Sequence, residues 1–531
     1  MSPIRLAFAA ALMLVATAAS AGTPNIFSVN CNTATVSLNG GTASVPMGAT
    51  TATVLGMVLG TEAAPASYSP APASGDVVEI TGLCPQDVAV TVPSLTITNP
   101  NYNAVSDPTP ALVVADGVTG QLEVSGATGT MISGLLLGAT SSFPFGSTKD
   151  LALLYAHDGA AVTLANAMVE FSPLLGVLSA RSSEVAILAS TIQSNGGNNA
   201  DTTPRDNGGV QARDNGTVVL GLAGGTLPVT VTNHAFDAVS AYRNSTVILY
   251  AAQLTNNTAH QVNIVSASSA YITGNNTASP STPATTILAP AGAQAAVQAF
   301  GTSTVRVDSL ASITGASGEQ AISVNAGSAL LLQGSLIAAS GSGPVIEASA
   351  GSVLGLAGGN VICSGSLSGS ICTPANGSAL EATRVSSLVQ VNAAEFGYSP
   401  TAEAVTGGGT IQLQSTADLG IGFLSGQPGL AWTTGTDGIP VSQNSSFRMQ
   451  GGVAITGTVV LSQATNGFAN FSNAPSDNTS PNSVTTLTCS WIDIPSAHLF
   501  NRVQSGVPAL TPAPTLSPTF STTAKGQCLS F

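Results

Sequence analysis

A spacing limits how this chain can fold more than any other feature does. Between about residues 112 and 362, apolar residues recur in triplets at i, i+8 and i+10. The sets are Val114/Leu122/Val124, Leu154/Val162/Leu164, Val177/Val185/Ile187 and Val210/Val218/Leu220. They continue as Val239/Val247/Leu249, Val262/Ala270/Ile272, Val297/Val305/Val307 and Ile322/Leu330/Leu332. Val345 and Val353 close the series, with Gly355 in the last slot. A further apolar position falls at i+15 in Val169, Ile192, Leu254 and Ile337, and one residue late at Ile313 and Val361. The shortest interval between first positions is 23 residues, and longer ones carry insertions. Alternation within each short run is strand patterning, and no 3.6-residue period fits the gaps.

One such unit cannot bury its inner face. Stacked units at about 4.8 Å let every strand pair with the coils above and below, so nine coils make a rod of about 38 Å. The inner columns then merge into one core. A leucine-rich repeat shares the period, but its helix-forming half is missing. A β-sandwich or propeller does not require a fixed i/i+8/i+10 spacing.

Composition narrows the partners. Charged residues make up 7% of the 531 and aromatics 5%, where a soluble domain carries about 25% charge. Eleven Lys+Arg against 25 Asp+Glu give a net charge of −14. Neutralising phosphates or an anionic membrane takes clustered Lys and Arg, which excludes nucleic acid and acidic lipid as partners. The scarcity of Glu and Lys excludes a charged coiled coil. Abundant Val, Ile and Leu exclude disorder.

The run from Val177 through Ile187 (VLSARSSEVAI) is followed by Ser190-Thr191-Ile192, and Val239 to Leu249 (VSAYRNSTVIL) has the same form. These units resemble the secreted right-handed parallel β-helix proteins of the pectate-lyase-like superfold. The resemblance covers about half the chain and implies an all-β, right-handed parallel β-helix solenoid. It carries fold and leaves activity open.

Residues 1–21 read as a secretory signal: Arg5 supplies the charge, Leu6 to Ala16 the apolar run, and Ala19-Ser20-Ala21 the cleavage site. The run is too short to span a membrane. No Cys sits at the cleavage point, where Gly22 begins the mature chain, so a lipid anchor is not expected. A secreted or periplasmic setting favours disulfides. The six cysteines fall in three pairs along the chain, Cys31 with Cys84, Cys363 with Cys372 and Cys489 with Cys528. With no CxxC and no His beside a Cys, zinc is the weaker reading and no metal site is expected.

Residues 22–110 read as an N-terminal cap with the first coils, 111–373 as the β-helix, and 374–531 as a β-rich cap or small domain with a Pro-rich tail. Insertions cluster after the third strand of the coil, at 139–150, 196–207, 222–232 and 278–291. Stacked loops there would wall a groove along the next strand face.

If the first-strand valines point inward, residues at i+1 and i+3 point outward. This face holds Tyr155, His157, Gln211, Arg213 and Tyr242, with Arg181 and Arg243 one residue on, in the turn. Rings pack on pyranose faces, and amides and guanidinium groups bond hydroxyls or carboxylates. Tyr155, Arg181, Gln211, Tyr242 and Arg243 are therefore the candidate ligand-binding residues. The competing reading is an ordinary solvated strand face. His157, Asp158, Asp206, Arg213 and Asp214 are the candidates for acid–base chemistry on a glycan. The polygalacturonase motifs Gly-Asp-Asp, Gly-His-Gly and Arg-Ile-Lys are absent, and so is a carboxylate cluster for Ca²⁺, which a lyase would need. The leading expectation is a secreted, non-catalytic surface or polysaccharide-binding protein without a cofactor, its partner a polysaccharide or cell-surface glycan. The alternatives are a polysaccharide lyase or glycoside hydrolase acting on an acidic polymer, and a structural adhesin or envelope component.

Overall fold

The computed structural model describes residues 23–60, 68–101, 118, 120–138, 152–196, 207–222, 227–274, 285–308, 311–339 and 345–355 in full. Beyond these it describes strand backbones between 356 and 516 and a few side chains around Cys363. The signal segment, Asp206 and Cys528 lie outside the described residues, as do the side chains of Cys372 and Cys489.

The chain forms a parallel β-helix. Each coil contributes one strand to each of three faces. The first face is an 11-stranded parallel sheet from Val88–Val90 to Leu380–Thr383, a height of about 48 Å at 4.8 Å per coil. The second face runs from Val77–Thr81 through Glu184–Leu188 to Val353–Ser368. The third runs from Leu83–Cys84 through Thr191–Gln193 to Leu336–Ala339. The long strand Val353–Ser368 pairs with both and joins them into one sheet.

The valine columns line the interior. Val177 pairs with Val210, Val210 with Val239 and Val239 with Val262, and all four are essentially sealed from solvent. At i+2, the strands of Leu154, Val177, Val210 and Val239 place small residues inward, Ala156, Ser179, Ala212 and Ala241. This makes room for the larger residues of the other two faces. Buried serines line one corner: Ser183, Ser245, Ser268, Ser303 and Ser328. The Ser268 and Ser328 hydroxyls accept the backbone N–H of Ser245 and Ser303 one coil earlier, so turn amides that no strand pairs are satisfied inside the core.

The register corrects the repeat at both ends. Leu122 pairs with Leu154 and Val88, so Leu122 and Val124 occupy the first strand, and the set beginning at Val114 is misassigned. The proper set for that coil is Leu122, Thr130, Ile132 and Leu137, at the same i, i+8, i+10 and i+15. Alternation alone does not tell a first strand from a second, and Thr130 hid the match. At the other end Ile322 pairs with Ile346, and Leu330 with Leu354. By register the repeat columns therefore run through Ile346, Leu354, Leu356 and Ile362 in place of Val345, Val353, Gly355 and Val361.

A cap covers the N-terminal end. Ile26–Asn30 pairs parallel with Val77–Thr81 and antiparallel with Thr35–Leu38. The short helix Val54–Leu59 buries all six of its residues against the core and ends at Gly60 with φ of 79°. A disulfide joins Cys31 to Cys84. Cys363 is also disulfide-bonded. Parallel pairing carries on across residue 373, through Leu388–Phe396, Thr410–Gln414, Ser446–Gln450 and Phe468–Ser472. No helix among the described residues is long and apolar enough to cross a membrane.

A second internal ladder contains a histidine. Asn195 Oδ1 accepts the N–H of Ser172, His234 Nδ1 that of Asn195, and Asn257 Oδ1 that of His234. His234 is buried, and desolvation pushes its pKa down to about 4. The unfolded chain binds this proton below about pH 6.5, whereas the folded chain does so only near 4. Stability should therefore fall as pH drops through that window, by roughly 3 kcal/mol from this group. The substitution His234→Asn fits the ladder chemistry of its neighbours. Urea midpoints at pH 7 and 4.5 should separate strongly for the native chain and less for the variant. Equal separation would remove His234 as the cause.

Candidate functional site

The outward side of the first face and the turn that follows it carry the chemistry. Register places Tyr155, Leu178, Gln211, Ser240, Asn263 and Gln298 in one column. Arg213, Tyr242, Val265 and Phe300 share the next, with His157 at the corresponding place in its own strand. The register keeps these residues in the columns that alternation assigns to the outward side, and His157, Leu178, Gln211, Ser240, Tyr242 and Asn263 are buried there.

The turns repeat one conformation. Asp158 and Gly159, Arg181 and Ser182, Asp214 and Asn215, and Arg243 and Asn244 all have φ between 52° and 80°. Asp, Asn and Gly tolerate this left-handed region best. Backbone hydrogen bonds continue through the turns, from Gly159 N to Arg181 O, Ser182 N to Asp214 O and Asn215 N to Arg243 O. The first turn position thus reads Asp158, Arg181, Asp214, Arg243 up the stack. Arg181 Nη1 lies 3.4 Å from Asp158 Oδ1, and Arg243 Nη1 3.1 Å from Asp214 Oδ1. Arg213 Nε approaches Asp214 Oδ2 at 3.6 Å. All three arginines therefore meet a carboxylate of their own chain.

His157 sits below this ladder, held from both sides. Its Nε2 is 2.6 Å from Glu123 Oε1 and its Nδ1 2.7 Å from Asp158 Oδ2. Both ring nitrogens face carboxylates, so satisfying both bonds takes a proton on each nitrogen or on a carboxyl. The His157 hydrogen bond, more than any other cause, holds the Asp158 carboxyl below the usual range. The Tyr155 ring stacks on His157 at 4.4 Å between centroids and 29° between planes. Burial raises the Tyr155 hydroxyl, partly offset by Arg181 and Arg213. His157 is nearly buried, while Glu123, Asp158 and Tyr155 are partly open to solvent.

Further along, the face closes over. Leu175, Leu178, Ala152 and Ala180 form a small apolar cluster with Tyr155, separate from the main core. Gln211, Ser240, Tyr242 and Asn263 are buried, so Gln211 and Tyr242 contribute little open surface. Gln211 Nε2 donates to Ser240 Oγ at 3.2 Å. Asp237 Oδ1 accepts from the backbone N–H of His260 and lies 3.0 Å from its Nδ1. Its Oδ2 accepts from Asn263 Nδ2 at 2.7 Å, and Asn263 Nδ2 also lies 3.3 Å from the Tyr242 hydroxyl.

The structure thus brings Tyr155, His157, Asp158 and Arg181 together, and Arg213, Asp214 and Arg243 beside them. Asp206 lies outside the described residues. Sequence reasoning missed Glu123, Asp237 and His260. Glu123 was legible, because Leu122-Glu123-Val124 alternates as a first strand should, but the coil was assigned one strand off. The Asp237–His260 contact depends on register between coils, which no local signal reveals. Among the described residues no three His, Cys, Asp or Glu side chains converge as a metal site. No family model, curated protein or solved structure matches the chain.

Proposed function

We propose that this chain is a secreted, pectate-lyase-like β-helix that binds a polysaccharide along the first-face corner. The observation that carries this reading is the partly open Tyr155 ring, stacked on a His157 that two carboxylates hold in place. A ring fixed before binding loses little entropy when it meets the apolar face of a sugar. The exposed Asp158, Arg181 and Arg243 and the half-buried Asp214 beside it offer acceptors and donors at coil spacing to successive hydroxyls. Because each arginine is already paired, a hydroxyl-rich polymer suits the corner better than one needing free cations for every carboxylate.

Titrating neutral and uronate oligosaccharides tests this. Tyr155→Ala and Arg181→Ala should each weaken binding about tenfold or more, equivalent to about 1.4 kcal/mol. Unchanged affinity in both would defeat the reading. The Glu123–His157–Asp158 contact favours a second reading, acid–base catalysis on the bound glycan. New reducing ends or unsaturated products in the same incubations would replace the binding-only reading with that one.

A further inference from the structure

The second face carries a different assembly. Register sets Ile248, Tyr271, Arg306, Leu331 and Gly355 in one outward column. Arg306 grips Asp308 with two bonds, Nε to Oδ1 at 2.8 Å and Nη2 to Oδ2 at 2.9 Å. Tyr271 donates its hydroxyl to Asp308 Oδ2 at 2.8 Å. The Arg306 guanidinium lies over the Tyr271 ring, 5.6 Å from its centroid. Tyr250 meets Tyr271 edge to face, at 6.2 Å and 80°. The whole chain has 7 Tyr and 11 Lys+Arg, so two tyrosines and an arginine locked together on one sheet face are conspicuous.

The chemistry of this platform selects its ligand. Arg306 and Asp308 cancel, leaving no net charge, and the nearly saturated carboxylate would repel an anion. Arg306 remains 44% exposed along its side chain, and its Nη1 makes no hydrogen bond to a described residue. Exposed Leu331 extends the apolar surface along the column, and Gly355 beyond it adds no side chain. A purely apolar partner would bury that guanidinium edge without a bond. An uncharged ring with hydroxyls at its rim and apolar C–H faces satisfies both parts.

We infer that Tyr250, Tyr271 and Arg306 form a second carbohydrate site, for a neutral glycan, on a face separate from the first-face corner. It stands independently of the function proposed above, because none of its residues belongs to that corner.

NMR titration with cellohexaose, xylohexaose, maltohexaose and mannohexaose provides the test. At least one should bind the native chain, and Tyr271→Ala and Arg306→Ala should each weaken it about tenfold or more. In Tyr155→Ala the titration shifts of residues around Tyr271 should keep their midpoint, whatever that variant does to binding at the first-face corner. Tyr271→Phe keeps the ring and serves as the folding control, with a loss smaller than that of Tyr271→Ala. No binding of any hexaose at millimolar concentration overturns the inference. So does binding that Tyr155→Ala abolishes while Tyr271→Ala and Arg306→Ala leave it intact.

Discussion

Val239→Asp should remove most of the chain's folding stability, by about 5 kcal/mol or more. Val239 is fully buried between Val210 and Val262 in the first-face column. The substitution forfeits roughly 1.5–3 kcal/mol of apolar burial. It also leaves a carboxyl with no partner in the core, which costs several kcal/mol whether the group ionises or stays protonated. A domain's total stability is only about 5–15 kcal/mol. Because each coil touches only its neighbours, the damage should begin at this coil and divide the stack. Urea unfolding would show a lower midpoint and a broadened transition, and limited proteolysis would cut near residue 239. Val239→Ala, which leaves only a small void, should cost far less. An aspartate variant as stable as the alanine one would contradict a sealed interior.

Replacing both Cys31 and Cys84 with serine should cost about 4 kcal/mol by the chain-entropy argument, given the 53-residue separation the bond closes. Both cysteines are buried in the main core. The bond fastens the strand Ile26–Asn30 to the coil that begins the third face, so it holds the cap on the open end of the stack. Reductant alone is a poorer test, since Cys363 is bonded as well. The double serine variant should unfold at lower urea, and hydrogen exchange should rise first in Val54–Leu59 and Ile26–Asn30. An unchanged midpoint would mean that packing alone retains the cap.

The solenoid could be read from sequence because stacking demands the same thing of every coil. Val177, Val210 and Val239 occupy one slot and obey one spacing, and that repetition identifies the slot. The reading failed where Thr130 stands in for a valine, and where Val345 and Val353 offer the same eight-residue spacing one residue ahead of Ile346 and Leu354. The candidate site was legible to the extent that side-chain direction follows alternation: Tyr155 and His157 point outward as expected. What each side chain touches was not legible. His157 meets Glu123 across 34 positions and Tyr271 meets Asp308 across 37, because insertions between coils and within them set which residues become neighbours. The burial of Gln211 and Tyr242 is likewise a property of the assembled surface and has no mark in local sequence.

The turn series Asp158, Arg181, Asp214, Arg243 alternates in sign from coil to coil. Excising the single coil from Val210 through Ala238 would bring Arg181 against Arg243, two cations on adjacent rungs. Excising two, from Val177 through Ala238, would set Asp158 against Arg243 and restore the pairing. In this stretch the length of the rod is quantised: duplication or loss of repeats keeps its electrostatic parity only in even steps.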